Sequence, residues 1–148
     1  MRLVLQRVER ALVAVAGERV GRIGRGMLVL VGAEHGDGPE QARAAAKKLA
    51  ELRIFEDAQG RMNLDAAAAG AAFLVVSQFT LAGEPLKKGR RPSFDGAAPP
   101  AVAEPLVTLL VAELAAAGFE VATGRFGAHM AVELVNDGPV TFVLDVRP

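Results

Sequence analysis

The chain has 148 residues, the size of one ordinary domain and too short for two full enzymatic domains, so a single domain spanning residues 1–148 is expected. Its 17 Lys and Arg residues balance 17 Asp and Glu residues, so no overall charge attracts it to nucleic acid or membrane, and any RNA affinity must come from a local patch. The absence of Cys excludes disulfides and thiolate sites, and without a long apolar run or signal sequence a cytoplasmic protein is expected.

The first half of the chain alternates strand signals with one helix. Segments 2–9, 12–16, 19–23 and 27–33 are β-branched or alternating and are separated by glycine turns, which predicts an antiparallel meander. Pro39 opens a helix whose apolar stripe comprises Ala42, Ala45, Ala46, Leu49 and Leu52. A turn at 57–60 precedes the apolar run 71–76, which is typical of a central strand buried on both faces.

The second half begins with a loop over 82–99 that is rich in glycine and proline. A second helix is expected from about 100 to 117, with Gly118 as its stop. Strands at 120–123, 130–135 and 140–146 close the chain, and residues 136–139 join the last two. The pattern predicts an α+β fold, in which two helices cover one face of a largely antiparallel, barrel-like sheet.

Several common kinds of active site are excluded. His35 and His129 are the two histidines, and neither has a second histidine at metal-ligand spacing, so no metal and no cofactor is predicted. The serine-hydrolase elbow and the glycine-rich phosphate loop are both missing. We expect His35 in an exposed turn and His129 in a strand, which leaves a mechanism without a histidine base.

Three segments carry polar or charged residues where function can reside. Ser77, Gln78, Phe79 and Thr80 follow the buried strand, but strand alternation brings the two hydroxyls together only if the chain bends near Phe79. Taken alone, this pattern favours a strand end whose hydroxyls satisfy backbone groups.

The second and third segments are a basic loop and a turn. Four cations within five positions make a phosphate-binding patch or an ordinary solvated loop: Lys87, Lys88, Arg90 and Arg91. Residues 136–141 are, by position alone, a hairpin turn.

Taken together, these segments resemble the D-aminoacyl-tRNA deacylase family over essentially the whole chain. The matching stretches, in order, are 1–8, 52–57 with 62–64, 77–81, 88–94, 123–128 and 136–141. Two departures, at 82–85 and at His129, affect the details of loop contacts rather than the activity.

The resemblance implies a homodimer that binds the aminoacyl-tRNA acceptor end and cleaves the ester of a D-amino acid or glycine. Gly138-Pro139, with a cis peptide, would enter the partner's site, fix the substrate amino group through its carbonyls and reject L side chains by collision. Arg7 would brace this segment, and Phe79 or Phe126 would stack on the terminal adenine.

The resemblance also implies the chemistry of the site. Backbone N–H groups around Phe79 and Thr80 would stabilise the oxyanion, Ser77 and Gln78 would order the surrounding contacts, and the tRNA 2'-hydroxyl would help to activate water. Thr80 is expected to position substrate, since no base lies beside it in the sequence. Two alternatives are a non-catalytic RNA-binding module and a small-ester hydrolase that uses Thr80 directly.

Overall fold

A computed structural model describes residues 1–84 and 89–148, and these form an α+β fold with a nearly closed, barrel-like sheet. The expected fold class is therefore confirmed. The strands are β1 (Arg2–Val15), β2 (Glu18–Ile23), β3 (Gly26–Gly32), β4 (Phe55–Glu56), β5 (Met62–Leu64), β6 (Ala72–Ser77), β7 (Val121–Thr123) and β8 (Ala131–Asp145). The helices are α1 (Pro39–Glu51), α2 (Ala66–Ala69) and α3 (Pro100–Ala116), with a 3-10 helix at Phe79–Ala82.

Strand β1 is the centre of the sheet, so the expected meander is wrong. The two segments predicted at 2–9 and 12–16 are one strand. Along one edge, β1 pairs with β3 through its first half and with β2 through its second half, and along the other edge it pairs with β8, always antiparallel. A strand of 14 residues is long enough for two shorter strands to line one of its edges in succession.

The other end of the sheet is parallel and curls back toward β2. Strand β6 pairs parallel to β3 and to β7. Gly21 of β2 lies so close to β7 that a Cβ there would sit 2.3 Å from the carbonyl oxygen of Thr123. The near-closure of the barrel therefore requires glycine at this position.

The two long helices pack on one face of the sheet, as expected, and the one-turn helix α2 was not predicted. Alternate residues of β6 divide between two buried clusters: Phe73 and Val75 join the helix-side core, and Leu74 and Val76 join the core inside the curled sheet. The apolar run is thus buried on both faces. None of the helices in the described part of the chain is long and apolar enough to cross a membrane.

Strand β8 runs through the segment expected to be a hairpin turn. Its partners shift from Thr141 opposite Gln6 to Asn136 opposite Val8, so that four residues, Asp137 to Val140, bulge opposite Arg7. The Asn136 side chain accepts the backbone N–H of Val140 at 2.9 Å and closes this bulge. The chain bulges instead of reversing, and the sequence-based prediction of a hairpin is wrong.

Candidate functional site

The polar segment at the end of β6 turns sharply away from the sheet. Ser77 still pairs with Val31, and the N–H of Gln78 donates to the Val31 carbonyl at 2.8 Å. The 3-10 helix then starts at Phe79, which is the bend that alternation required. The side-chain amide of Gln78 donates to the Thr80 hydroxyl.

Beside this turn lies a cavity of about 620 Å³. It opens beyond the carboxyl ends of the parallel strands, a common place for ligand sites in such sheets. Its walls are mainly apolar and its polar side chains are few, which suits a ligand with a flat apolar part and a few polar groups. Its lining includes Ser77, Gln78, Phe79, Phe126, His129 and Met130.

Two backbone donors stand at the start of the 3-10 helix. The first N–H groups of a helix have no intrahelical acceptor. In the described part of the chain, the N–H groups of Phe79 and Thr80 donate to no other residue, and Gln78 provides no side-chain cap. Adjacent N–H groups of this kind can stabilise a developing oxyanion. Thr80 itself is exposed, and within the described residues it is not part of the cavity lining.

Aromatic rings flank the cavity. Phe79 is 59% exposed and its ring meets that of Phe94 edge-on, with 5.1 Å between centroids. Phe126 is half-buried and lines the cavity from the loop after β7. That loop is held by Met130, whose sulfur accepts the N–H of Arg125 at 3.4 Å.

His129 lies elsewhere than expected. It precedes β8 in an exposed segment and lines the cavity, so the prediction of a strand residue is wrong. His35 lies in an exposed turn, as predicted. Sequence reasoning also missed the small residues that form the cavity wall at 97–100, because alanines and prolines in a loop give no periodic signal.

Arg7 and the Gly138-Pro139 segment form a separate group on the same chain. The Arg7 side chain is 3% exposed; its guanidinium donates to the carbonyl oxygens of Asp137 at 3.1 Å and Ile54 at 2.8 Å. The Asp137 carboxylate lies 3.2 Å away as well. Gly138 and Pro139 are exposed, and the peptide bond between them is cis.

This group does not join the cavity of its own chain. Arg7, Gly138 and Pro139 are absent from the lining of the cavity in the described part of the structure, whereas Ser77, Gln78 and Phe126 are in it. The structure therefore brings the predicted residues together in two separate groups of the same chain.

The basic loop is described only in part. Lys87 and Lys88 lie outside the described residues, and Arg90 and Arg91 are exposed. Glu84 bridges Ser93, and Phe94 packs on Phe79 at the cavity. Across residues 1–84 and 89–148, no cluster of three His, Asp or Glu side chains could hold a metal ion.

The fold and the site define the class of protein: a barrel-like α+β protein with a mainly apolar cavity of about 620 Å³ and two adjacent backbone donors at the end of a parallel strand. The sequence profile of the D-Tyr-tRNA(Tyr) deacylase family matches residues 4–145. A D-aminoacyl-tRNA deacylase of Heliobacterium modesticaldum is 56% identical over 147 residues, covering 99% of this chain and 97% of that protein. One of Acidothermus cellulolyticus is 58% identical, covering 99% of both chains.

Two solved structures share the fold. A c-Myc DNA unwinding element binding protein superposes with a TM-score of 0.92 at 36% identity, covering 100% of both chains. A probable eukaryotic D-amino acid tRNA deacylase superposes with a TM-score of 0.83 at 20% identity over 98% of both chains, a likeness of fold alone. The chain belongs to the D-Tyr-tRNA(Tyr) deacylase family.

Proposed function

We propose that this chain is a D-aminoacyl-tRNA deacylase, which hydrolyses the ester between a D-amino acid or glycine and the tRNA 3' end. The observation that carries the proposal is the cavity at the end of β6, lined by Ser77, Gln78, Phe79 and Phe126, in a chain of this family. The substrate is a component of translation, so a cytoplasmic enzyme working as one unit over residues 1–148 is expected.

The terminal adenosine occupies the cavity. A volume of about 620 Å³ is within the range of small-ligand sites and suits a nucleoside. Phe126 lines the wall and Phe79 stands exposed at the mouth, so either ring can stack on the adenine. This places the aminoacyl ester at the start of the 3-10 helix.

Water then attacks the ester carbonyl carbon. Negative charge moves onto the carbonyl oxygen, where the N–H groups of Phe79 and Thr80 can donate to it. When the intermediate collapses, the bond to the tRNA oxygen breaks and that oxygen takes up a proton. The neighbouring 2'-hydroxyl of the terminal adenosine helps to activate the water. The Thr80 hydroxyl, which accepts a hydrogen bond from the Gln78 side chain, positions the substrate and does not attack it.

Chiral selection comes from a second subunit. Gly138 and Pro139 are exposed at a bulge anchored on buried Arg7 and do not line their own cavity, which fits insertion into a partner's site. Their carbonyls would hold the substrate amino group, so an L side chain meets rigid backbone while a D side chain points to open space. Glycine has no side chain to collide.

Strand β8 supports the homodimer. Within the described residues, β8 pairs with β1 alone and its other edge is open along its length. It also exposes the apolar side chains Val132, Phe142 and Val143. An open edge with an apolar face suits pairing with a second copy of the same strand.

The basic loop would contact the acceptor stem. Arg90 and Arg91 are exposed and are followed by Phe94, which packs on Phe79, so phosphates of a bound acceptor end would pass within reach of these two arginines. Lys87 and Lys88, outside the described residues, would add to the same patch by their place in the sequence. Such contacts position the RNA without reading its sequence.

The deciding experiment measures amino-acid release by purified protein from D-Tyr-tRNA, Gly-tRNA and L-Tyr-tRNA. We expect release from the first two and none above background from the third. An RNA-binding module would release nothing, and a small-ester hydrolase would cleave D-tyrosine methyl ester as readily as the tRNA ester. Comparable rates on D-Tyr-tRNA and L-Tyr-tRNA would overturn the chiral filter.

A further inference from the structure

Apart from the basic loop, three arginines gather in a second groove on the β1–β2 hairpin. This groove has a volume of about 320 Å³ and is lined by Arg10, Leu12, Arg19, Arg22 and Glu133, among others. The three arginines are exposed and, among the described residues, their side chains form no ion pair or hydrogen bond. By contrast, Arg2, Arg7, Arg43 and Arg147 each lie against a carboxylate.

The register of the sheet explains why these side chains converge. Leu12 of β1 faces Arg22 on β2 and Glu133 on β8, and Arg10 lies two residues from Leu12 on the same face. Arg19 faces Ala14 beyond the bulge in this hairpin. Neighbouring strands hold such cross-strand pairs close together, so the guanidinium groups surround one shallow space. Glu133 is the one carboxylate in its described lining, so the groove keeps a net positive charge.

The groove and the first cavity meet at the start of β8, on opposite faces of that strand. Val132 lines the cavity and the next residue, Glu133, lines the groove, because successive residues of a strand point to opposite faces. The start of β8 links them: His129 is at the cavity, and Ala131 pairs with Ala14, which on its other side pairs with Arg19. An acceptor end that leaves the cavity past His129 would reach Arg19 by crossing the start of β8.

We infer that Arg10, Arg19 and Arg22 bind phosphates of the tRNA acceptor stem while its 3' end occupies the cavity. The inference rests on the proposed function. Unpaired guanidinium groups bind phosphate through bidentate hydrogen bonds, and each contact releases counterions. Since the chain has no net charge, attraction to RNA depends on local groups of this kind.

The test compares two triple variants with the same change in charge. The first is R10Q/R19Q/R22Q, and the matched control is R43Q/K47Q/R61Q, which removes three exposed cations from α1 and the β4–β5 turn. Equal thermal midpoints would establish that both fold. For D-Tyr-tRNA at about 0.15 M salt we expect the groove variant to raise KM about tenfold or more with kcat unchanged, and to reduce the slope of log KM against log salt by about two to three. The control should change neither appreciably.

Two further arms separate the inference from the proposed function. With D-tyrosyl-adenosine, which is too short to reach the groove, the groove variant should match wild type; a persisting KM difference would mean a distorted site and overturn the inference. Binding of uncharged tRNA gives a readout that needs no catalysis, and we expect it to weaken with the same loss of salt slope. Unchanged affinity and slope would overturn the groove even if deacylation is intact. A wild-type protein that binds tRNA through the groove but releases no amino acid would refute the proposed function alone.

Discussion

The end of β6 and the bulge of β8 carry the two groups of predicted site residues, and they are built in opposite ways. Ser77 and Gln78 continue a strand that is buried on both faces. The backbone donors that follow them are therefore attached directly to the packed core. Gly138 and Pro139 stand exposed on a strand with an open edge, and the buried Arg7 fixes the start of their bulge.

The contrast between a buried and an exposed group decides whether each can act within its own chain. Residues that line a cavity can act there within their own chain. Exposed residues that do not line it can act only on a cavity of another chain. Rejecting one enantiomer by collision requires a wall that does not yield. The bulge is held at both ends, because the buried Arg7 guanidinium donates to the Asp137 carbonyl and the Asn136 side chain accepts the N–H of buried Val140.

Mixing of subunits tests most directly whether the cavity of one chain works with the bulge of another, and it has the largest expected effect. A cavity variant, Q78A/F79A, and a bulge variant, Gly138→Val, should each be nearly inactive. At Gly138 an added Cβ would lie 2.7 Å from the Val140 side chain and the backbone φ is +137°, so the bulge must shift. After unfolding and refolding the two together, half of the dimers are mixed and each has one intact site, so about a quarter of wild-type activity should return.

The control mixes two cavity variants, Q78A/F79A with Ser77→Ala, and should restore nothing beyond the residual activity of each. If native mass spectrometry detects mixed dimers but activity stays at the level of the two separate variants, the cavity and the bulge act within one chain, and the proposed insertion into a partner is wrong.

Removing the tRNA 2'-hydroxyl should have the next largest effect. If Thr80 only positions substrate, Thr80→Ala keeps its backbone N–H and should slow single-turnover hydrolysis by at most about a hundredfold, the lower end of the roughly 10²–10³-fold loss seen when an oxyanion-hole donor is removed. A terminal 2'-deoxyadenosine should slow wild type more, because it removes the group that helps to activate water. Trapping an aminoacyl ester on Thr80, or normal cleavage of the deoxy substrate, would reverse the assigned roles.

Arg7→Met should lower the free energy of unfolding by about 3 kcal/mol, since it leaves the Ile54 carbonyl and Asp137 without their buried partner. Denaturant titration measures this loss. The control is Arg2→Met at a half-exposed pair, expected to cost no more than about 1 kcal/mol. Equal losses at both positions would show that the bulge is not held by Arg7.

The smallest effect is expected where β8 ends. A hydrogen bond from Arg2 holds the pKa of the Asp145 carboxyl below its usual value. A lowered folded-state pKa contributes stability above the unfolded-state pKa, near 4, and loses it as pH falls through the folded-state pKa. Asp145→Asn should therefore cost at most about 1 kcal/mol at pH 7, and progressively less as the pH falls below about 4. A difference that persists at low pH would have another cause.

Much of the fold could be predicted because it depends on local patterns. The spacing of apolar residues predicted α1, the buried strand β6 and the second long helix, α3. The structure places all three close to the expected bounds. The polar residues after β6 were legible as well, since they break an apolar run where a strand ends. The one-turn helix α2 gave no such signal, because an alanine run has no apolar face to distinguish.

Local sequence patterns could not predict which strands pair with one another. Nothing in the spacing of β1 indicates that it takes three partners, or that residues 136–139 bulge rather than turn, because both outcomes depend on strands far away in the sequence. The groove arginines, Arg10, Arg19 and Arg22, likewise look like isolated surface charges until register brings them together.

By itself, the amino-acid sequence determined the kinds of elements, the buried strand and, through its motifs, the family. Tertiary structure alone decided that Arg7 is buried against Asp137 and Ile54 and that Gly138-Pro139 faces away from its own cavity. The physical reason is range: backbone propensity and apolar periodicity act over a few residues, whereas burial of a charge and the direction of a bulge depend on contacts between segments more than forty residues apart in the chain.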